Sequence, residues 1–291
     1  MITVFTPTYN RRHLLPRLYD SLCRQTNNDF EWLVIDDCST DNTEDYIKSL
    51  RNSRFDIRYY KTPKNSGKHI AFNLAIEKAR GEYFFCVDSD DWLDAKAVDI
   101  IINDIKDDSL LGFIYPRISD ALDNRGWEIA NNNLIDIIDA ELVYGIKETA
   151  IVIKTSSLKK YRFPTFEKEG VVEKFCPESI LYNELISEGK FLAKNKGFYF
   201  GEYQENGLTN SIRKLWLNCP QAMIYDWKLK YEVYKKYKLQ QRFLQRILCI
   251  LDLNALCIKK KISILNNTPS KLYSILLYLP SIPVVMYRYK W

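Results

Sequence analysis

The stretch CVDSDDW, Cys86 to Trp92, sets three aspartates in four positions directly after the apolar run YFFCV. Carboxylates this close repel one another, and burying any of them beside a strand is costly unless something neutralises it. A divalent cation is one solution. Mg2+ and Mn2+ take one or two carboxylates together with phosphate oxygens and water, so Asp88 and Asp90, or Asp90 and Asp91, can supply ligands between which and a diphosphate the ion sits. The alternative is a solvated acidic turn, or the N-cap of a helix over 94–106. An EF-hand is excluded, because the sixth position counted from Asp88 is Leu93 where that loop requires glycine.

Three further polar clusters have comparable chemistry. In TPTYNRR, Tyr9 can stack on a base and Arg11 can meet phosphate, although a strand-end tyrosine also serves as partial core. In IDDCSTD, Asp37 can accept from a nucleobase imide or a ribose hydroxyl, while Ser39 or Asp41 reads as the N-cap of a helix over TEDYIKSL. In KNSGKHIAFN, a turn at Asn65, Ser66 and Gly67 leads into Lys68 at a helix N-terminus, an end suited to an anion; as an isolated side chain Lys68 is a surface charge.

The elements that position these clusters alternate. Apolar, β-branched runs ITVFT (2–6), WLVID (32–36), IRYY (57–60) and YFFCV (83–87) read as strands, and HLLPRLYDSLCRQ, TEDYIKSL and KHIAFNLAIEKA as helices between them. Such alternation predicts a Rossmann-like, mostly parallel sheet flanked by helices. Ligands bind such sheets beyond the carboxyl ends of the strands. TPTYNR, DDCSTD and DSDD all fall at those ends and are expected to converge on one rim. Beyond residue 94 the pattern loosens: a helix over 94–105, strands over 110–118 and 148–154, a helix opening near Pro177 and stopping at Gly189, then short strands in FLAKN and GFYFGEY. From Lys214 the chain turns helical.

Composition is that of a globular protein, with 46% hydrophobic and 27% charged residues over 291 positions. The start MITVFTPTYNRR has no basic segment followed by an apolar one, so no secretory signal is expected. The seven cysteines form no CxxC pair and only His13 and His69 supply imidazole, which argues against zinc and for reduced cysteines in a cytoplasmic protein. The net charge of +5 conceals an asymmetry: from Arg213 onward there are 15 Lys and Arg against 3 Asp and Glu, leaving the remainder acidic. The longest apolar run there, YSILLYLPSIPVVMY (273–287), is interrupted by two prolines and falls short of the ~20 residues of a bilayer span. Its basic and aromatic composition suits a segment lying on an anionic membrane surface; helices packed on the rest of the chain, with a solvated basic face, are the alternative. No nucleic-acid-binding module accompanies the charge. The expected division is 1–212 for the nucleotide-binding and catalytic part and 213–291 for a helical basic extension.

Taken in order, TPTYNRRHLLPRLYDSLCRQT, FEWLVIDDCSTDNT, NSGKHIAFNLAI and GEYFFCVDSDDWL resemble the family 2 glycosyltransferases of the GT-A fold over roughly residues 1–120. The resemblance implies inverting transfer of a sugar from a nucleoside diphosphate, usually UDP, with Mn2+ or Mg2+. By position it gives Pro7, Tyr9 and Arg11 to the first nucleotide loop and Asp37 to uracil. Lys68 and Asn73 flank the nucleotide, and Asp88 and Ser89 lie against it. Asp88 and Asp90 match the family's Asp-x-Asp pair, which leaves Asp90, Asp88 or Asp91 as the metal ligand, and Trp92 lines the sugar or acceptor unless it is core. The family's catalytic base sits in a later acidic motif at a helix start. FEKEGVVEKFCPESILYNEL occupies that place without a Glu-Asp pair, leaving Glu178 and Glu173 as competing candidates. The expected partners are a nucleotide sugar, a bacterial surface glycan or lipid-linked acceptor, and the inner face of the cell membrane. A catalytically silent sugar-nucleotide or glycan-binding protein is the alternative. A nucleotidylyltransferase is disfavoured because TPTYNRR lacks the glycines of a triphosphate loop.

Overall fold

The β-branched and aromatic runs at the start of the chain form β1 (Ile2–Thr8), β2 (Phe30–Asp36), β3 (Asp56–Lys61) and β4 (Tyr83–Cys86) in a computed structural model. It describes residues 1–51, 54–105, 110–119, 127, 129–146, 148–168, 170–202, 208–236 and 240–289. Every residue of β2 is buried, and β1 is buried at all but Pro7. A strand covered on both faces can afford no polar alternation, which is why these segments read as continuous apolar runs. Connecting them are α1 (Leu15–Cys23), α2 (Thr43–Ser49) and α3 (Lys68–Lys78).

These four strands run parallel in the order β3-β2-β1-β4, with Thr8 opposite Asp36 and Phe5 opposite Cys86. The chain therefore winds outward from β1 to β3 and returns to the other side of β1 with β4. The crevice at that reversal, beyond the carboxyl ends of β1 and β4, is where this architecture binds ligands.

The sheet then becomes mixed. Next come β5 (Asp91–Leu93), α4 (Ala97–Asp104), β6 (Gly112–Ser119), β7 (Asn133–Ile135), α5 (Asp139–Leu142), β8 (Thr149–Lys154) and α6 (Thr155–Leu158). β8 inserts antiparallel between β4 and β6. Later segments β11 (Phe191–Ala193) and β12 (Tyr199–Gly201) both pair parallel with β6, and β12 also pairs antiparallel with β5. The three-residue β5 lies inside the acidic stretch itself and carries no strand signal in sequence.

The chain divides into two compact units, Met1–Phe163 with Glu184–Gln204, and Pro164–Asn183 with Glu205–Trp291. In the second, β9 (Glu167–Lys168) and β10 (Val171–Val172) pair as a hairpin. α7 (Ser179–Leu185) starts there, and α8 (Leu208–Asn218), α9 (Pro220–Lys236) and α10 (Gln240–Lys260) follow. The expected helix from Pro177 to Gly189 is shorter, because its last turn unwinds after Leu185 ahead of Gly189 at φ 155°. α11 (Ile264–Asn267), α12 (Lys271–Leu276) and α13 (Tyr278–Tyr289) complete the unit, with α9, α12 and α13 packed on α10. Among the described residues no helix is long and apolar enough to cross a membrane. None of the cysteines is paired in a disulfide.

At the edge opposite the crevice, buried Glu31 holds the strands together. Its carboxylate accepts from the Thr3 hydroxyl (2.6 Å), the Arg80 amide (2.8 Å) and the Arg58 guanidinium (2.8 Å). Burial opposes ionisation of Glu31, but these three donors outweigh it and hold the carboxyl below its ordinary value of 4.5. A depressed native pKa stabilises above the unfolded value and is lost as pH falls. We expect Glu31→Ala to destabilise by about 3 kcal/mol at neutral pH, because Arg58 loses its buried partner. The gap from wild type should narrow as pH drops below 4.5, in urea melts across that range.

Candidate functional site

The loops that leave β1 and β2 are laced to each other. The Asn10 amide donates to Ser39 Oγ (2.8 Å), the Thr40 amide to Asn10 Oδ1 (2.8 Å), and the Arg12 amide to Asp41 Oδ2 (2.9 Å). Asn10, Cys38 and Asn42 take positive φ to make these turns. Ser39 therefore does not cap α2 as expected, and Asp41 divides its carboxylate between the Thr43 hydroxyl and the first loop; α2 begins after Asn42 with no side-chain cap. The physical reason is accounting: two adjacent loops leave amides that need acceptors, and these side chains are the nearest ones. The lacing leaves Tyr9 at the rim, 44% exposed, while Pro7 is half-buried in β1.

Asp37 lies just inside the rim, 5% exposed. Its carboxylate accepts from Thr62 Oγ1 (3.0 Å), the Ser66 amide (2.9 Å) and the Gly67 amide (2.6 Å), shaping the turn that launches α3. Gly67 sits at φ 98°, which glycine adopts without strain. One turn into α3, both ends of the Asn73 amide are bound to the Phe163 backbone, at 2.9 and 2.8 Å. His69 is buried beside Phe163 and burial pushes it down to about 4, so it brings no positive charge.

The acidic turn follows β4 beside these loops. One carboxylate oxygen each from Asp88, Asp90 and Asp91 lies within 4.8 Å of the others. Asp88 and Asp90 are partly exposed and face cations: Lys68 Nζ at 2.7 Å from Asp88, and Arg11 at 2.7 Å from Asp90. Burial opposes ionisation of Asp88, yet Lys68, then Arg117 and Arg11, hold its carboxyl below the usual range. Asp91 points inward, 1% exposed, against Arg117 (2.7 Å) and the Tyr199 hydroxyl, whose oxygen also accepts from the Asp88 amide (3.3 Å). Burial, then the neighbouring Asp88 charge, pushes Asp91 up to about 6 in spite of Arg117. Ser89 is buried within the turn. Trp92 stacks on Phe200 across the β5–β12 pair and lies under the Arg17 guanidinium at 4.0 Å. Arg17 also donates to the Asp90 carbonyl (2.5 Å) and pairs with Glu202 (2.7 Å).

The donor set is hard oxygen on a rim, the chemistry of a magnesium or manganese site rather than of zinc. Asp88 and Asp90 offer outward oxygens, and Asp91 braces them from behind. Arg11 and Lys68 neutralise the two outer acids. Arg17, Arg117, Tyr199 and Gly201 escape sequence reasoning: Tyr199 lies 108 residues from its aspartate in a segment with no motif.

The candidate bases belong to the second unit. Both oxygens of Glu173 accept backbone amides at the start of α9, Gln221 at 2.9 Å and Ala222 at 2.8 Å, while burial raises its pKa. Glu178 stands just before α7, where its carboxylate accepts from the Tyr182 hydroxyl (3.0 Å).

A Cβ at Gly201 would overlap both the Arg117 guanidinium and an Asp91 oxygen. We expect Gly201→Ala to displace this pair and cost about 2 kcal/mol, visible as a lowered thermal midpoint; an unchanged midpoint would show that the brace is not rigid.

The model for glycosyl transferase family 2 matches residues 3–170. The chain is similar to the putative teichuronic acid biosynthesis glycosyltransferase TuaG of Bacillus subtilis (strain 168), 35% identical over 91 residues, which are 31% of this chain and 36% of that protein. It is also similar to the poly(ribitol-phosphate) β-N-acetylglucosaminyltransferase TarP of Staphylococcus aureus (strain N315), 28% identical over 194 residues, 64% of this chain and 59% of TarP. The match thus spans less than two thirds of either relative. Among solved structures, S. aureus TarS 1-349 in complex with UDP-GlcNAc superposes with a TM-score of 0.62 at 17% identity, covering 99% of this chain and 91% of that one. The mannosyltransferase PcManGT from Pyrobaculum calidifontis, in complex with GDP-Man and Mn2+, gives 0.55 at 15% identity over 99% and 84%. These likenesses establish the GT-A type of fold. Because the family match runs from the first strand past the acidic turn and over more than half of the sequence, the chain belongs to glycosyl transferase family 2.

Proposed function

We propose that the chain is an inverting, metal-dependent glycosyltransferase. It moves a sugar from a nucleoside diphosphate, UDP before others, to a hydroxyl of a growing bacterial surface glycan or lipid-linked acceptor at the inner face of the cell membrane. The observation that carries the reading is the trio of carboxylate oxygens within 4.8 Å at the carboxyl end of β4, faced by Arg11 and Lys68. The names of the relatives, one in teichuronic acid synthesis and one acting on poly(ribitol-phosphate), support the acceptor class. The UDP-GlcNAc and GDP-Man, Mn2+ complexes of the structural neighbours support donor and metal.

Asp88 and Asp90 would hold Mn2+ or Mg2+, which supplies positive charge to the diphosphate as it leaves. Asp91, bound to Arg117 and Tyr199, fixes the turn that presents them. Arg11 and Lys68 neutralise the phosphates. Tyr9 and Asp37 are assigned to the base, and Asp37 does so while ordering the turn before α3. Asn73 holds α3 to Phe163 beside the nucleotide. Trp92, stiffened by Phe200 and Arg17, is assigned to the sugar or acceptor. In the single displacement the acceptor oxygen bonds to the anomeric carbon as the bond to the diphosphate oxygen breaks, and the acceptor proton passes to a carboxylate. We assign that proton to Glu178, because Glu173 has both oxygens committed to the start of α9.

Calorimetry with UDP and a panel of UDP-sugars, with and without Mn2+, tests the reading. Binding should require metal, and Asp90→Ala should abolish the metal requirement along with most of the affinity. Absence of any nucleotide binding in the presence of Mn2+ would refute the proposal. Glu178→Gln should lower kcat by about 10²–10⁴ with donor affinity retained, the usual contribution of general base catalysis. Glu173→Gln should act mainly on thermal stability, and the reverse pattern would exchange their roles.

A further inference from the structure

α12 and α13 expose a set of large aliphatic side chains while two of their serines are buried. The side chains turned inward are Ser274, Ser281, Val285 and Tyr289. Leu272, Ile275, Leu276, Leu279 and Met286 face outward, 59–71% exposed. Leu272, Ile275 and Leu276 fall at i, i+3 and i+4 on α12, and Leu279 and Met286 lie seven residues apart on α13, so each helix carries its exposed aliphatic side chains at helical spacing.

The inward serines are well accommodated, so the arrangement is a settled packing. The Ser274 carbonyl accepts from Asn254 Nδ2 (3.0 Å), the Ser274 hydroxyl pairs with Thr268 Oγ1 (2.6 Å), and the Ser281 hydroxyl donates to the Leu277 carbonyl (2.7 Å).

The outward aliphatic side chains lie in a stretch of uniform charge. Beyond Asp252 the sequence has six Lys and Arg and no Asp or Glu. Lys260, Lys261 and Lys271, which precede them, are exposed. Lys261 ends α10 at φ 55°, where helices ordinarily place glycine, with the Ile262 amide closing the turn on the Cys257 carbonyl (2.9 Å). A cation thus occupies a backbone position that non-glycine residues enter only at a cost.

We propose that α12 and α13 lie on an anionic bilayer, with the outward aliphatic side chains from Leu272 to Met286 at the acyl boundary and Lys260, Lys261 and Lys271 on lipid phosphates. α13 is 12 residues long, which suits a surface helix and not a span. Charge also favours lipid over a second copy of this chain, since a two-fold contact would set like-charged lysines against one another. The inference rests on the inner-face location proposed for the enzyme but not on its donor chemistry.

The test is sedimentation of the full chain with phosphatidylglycerol-containing vesicles and with pure phosphatidylcholine vesicles. UDP binding with Mn2+ and light scattering are measured on the same samples. Wild type should pellet with the anionic vesicles, less so in high salt. Leu276→Ser with Leu279→Ser, and separately Lys260→Glu with Lys261→Glu, should each lower the partition coefficient on the order of tenfold while UDP binding is unchanged. Equal pelleting with both vesicle types, or variants that partition like wild type, would overturn the proposal. So would an oligomer that the leucine variant dissolves without any vesicle binding, which would give these side chains to a second copy. Vesicle binding that persists where UDP binding is absent would leave the membrane face standing and remove only the donor reading.

Discussion

Mutual repulsion among Asp88, Asp90 and Asp91 is the constraint around which the first unit is arranged. At an effective dielectric near 20, two carboxylate charges 4.8 Å apart repel by roughly 3 kcal/mol. Each acid is offset by a cation from a different element: Arg11 from the loop after β1, Lys68 from the start of α3, and Arg117 from β6. The turn thereby ties together a loop, a helix start and a strand that are distant in sequence. The three pairs are unequal. Arg117 is largely buried with Asp91 and reinforced by Tyr199, so that pair is structural, whereas the Arg11 and Lys68 pairs lie at the rim and are partly exposed.

The same rim concentrates local backbone cost. Of the five non-glycine positions with positive φ among the described residues, three, Asn10, Cys38 and Asn42, lie around the first two strand ends, with Gly67 beside them. Such positions persist where surrounding bonds over-determine them. Here the bonds between Asn10, Ser39 and Thr40, and those from the α3 turn to Asp37, do so. The loops are held in shape by the protein itself, which reduces the ordering a ligand must drive on binding.

The second unit follows different logic. Its polar interior is compact: the Asp226 carboxylate, 1% exposed, accepts from the Ser179 hydroxyl (2.7 Å) and pairs with Lys230 (2.8 Å), which joins the start of α7 to α9. Glu173 secures the beginning of α9 through two amides, as a carboxylate at a helix N-terminus should. Its outer surface carries the apolar side chains that a water-facing surface avoids.

The amino-acid sequence by itself determined the alternation of strands and helices over the first hundred residues, and the placement of three polar clusters at strand carboxyl ends. Both are local: a strand buried on two faces must be apolar along its length, and the residues that end it must turn. The tertiary structure alone decided partners. It paired Asp91 with Arg117 and Tyr199, gave Ser39 to the neighbouring loop instead of to α2, joined the three-residue β5 to β12, and committed Glu173 to amides 48 and 49 residues away. It also showed that Leu272, Leu276 and Leu279 of α12 and α13 point out while Ser274 and Ser281 point in. A charge, or a hydrophobic face, finds its partner by distance through space, and that distance is fixed only when the whole chain has folded.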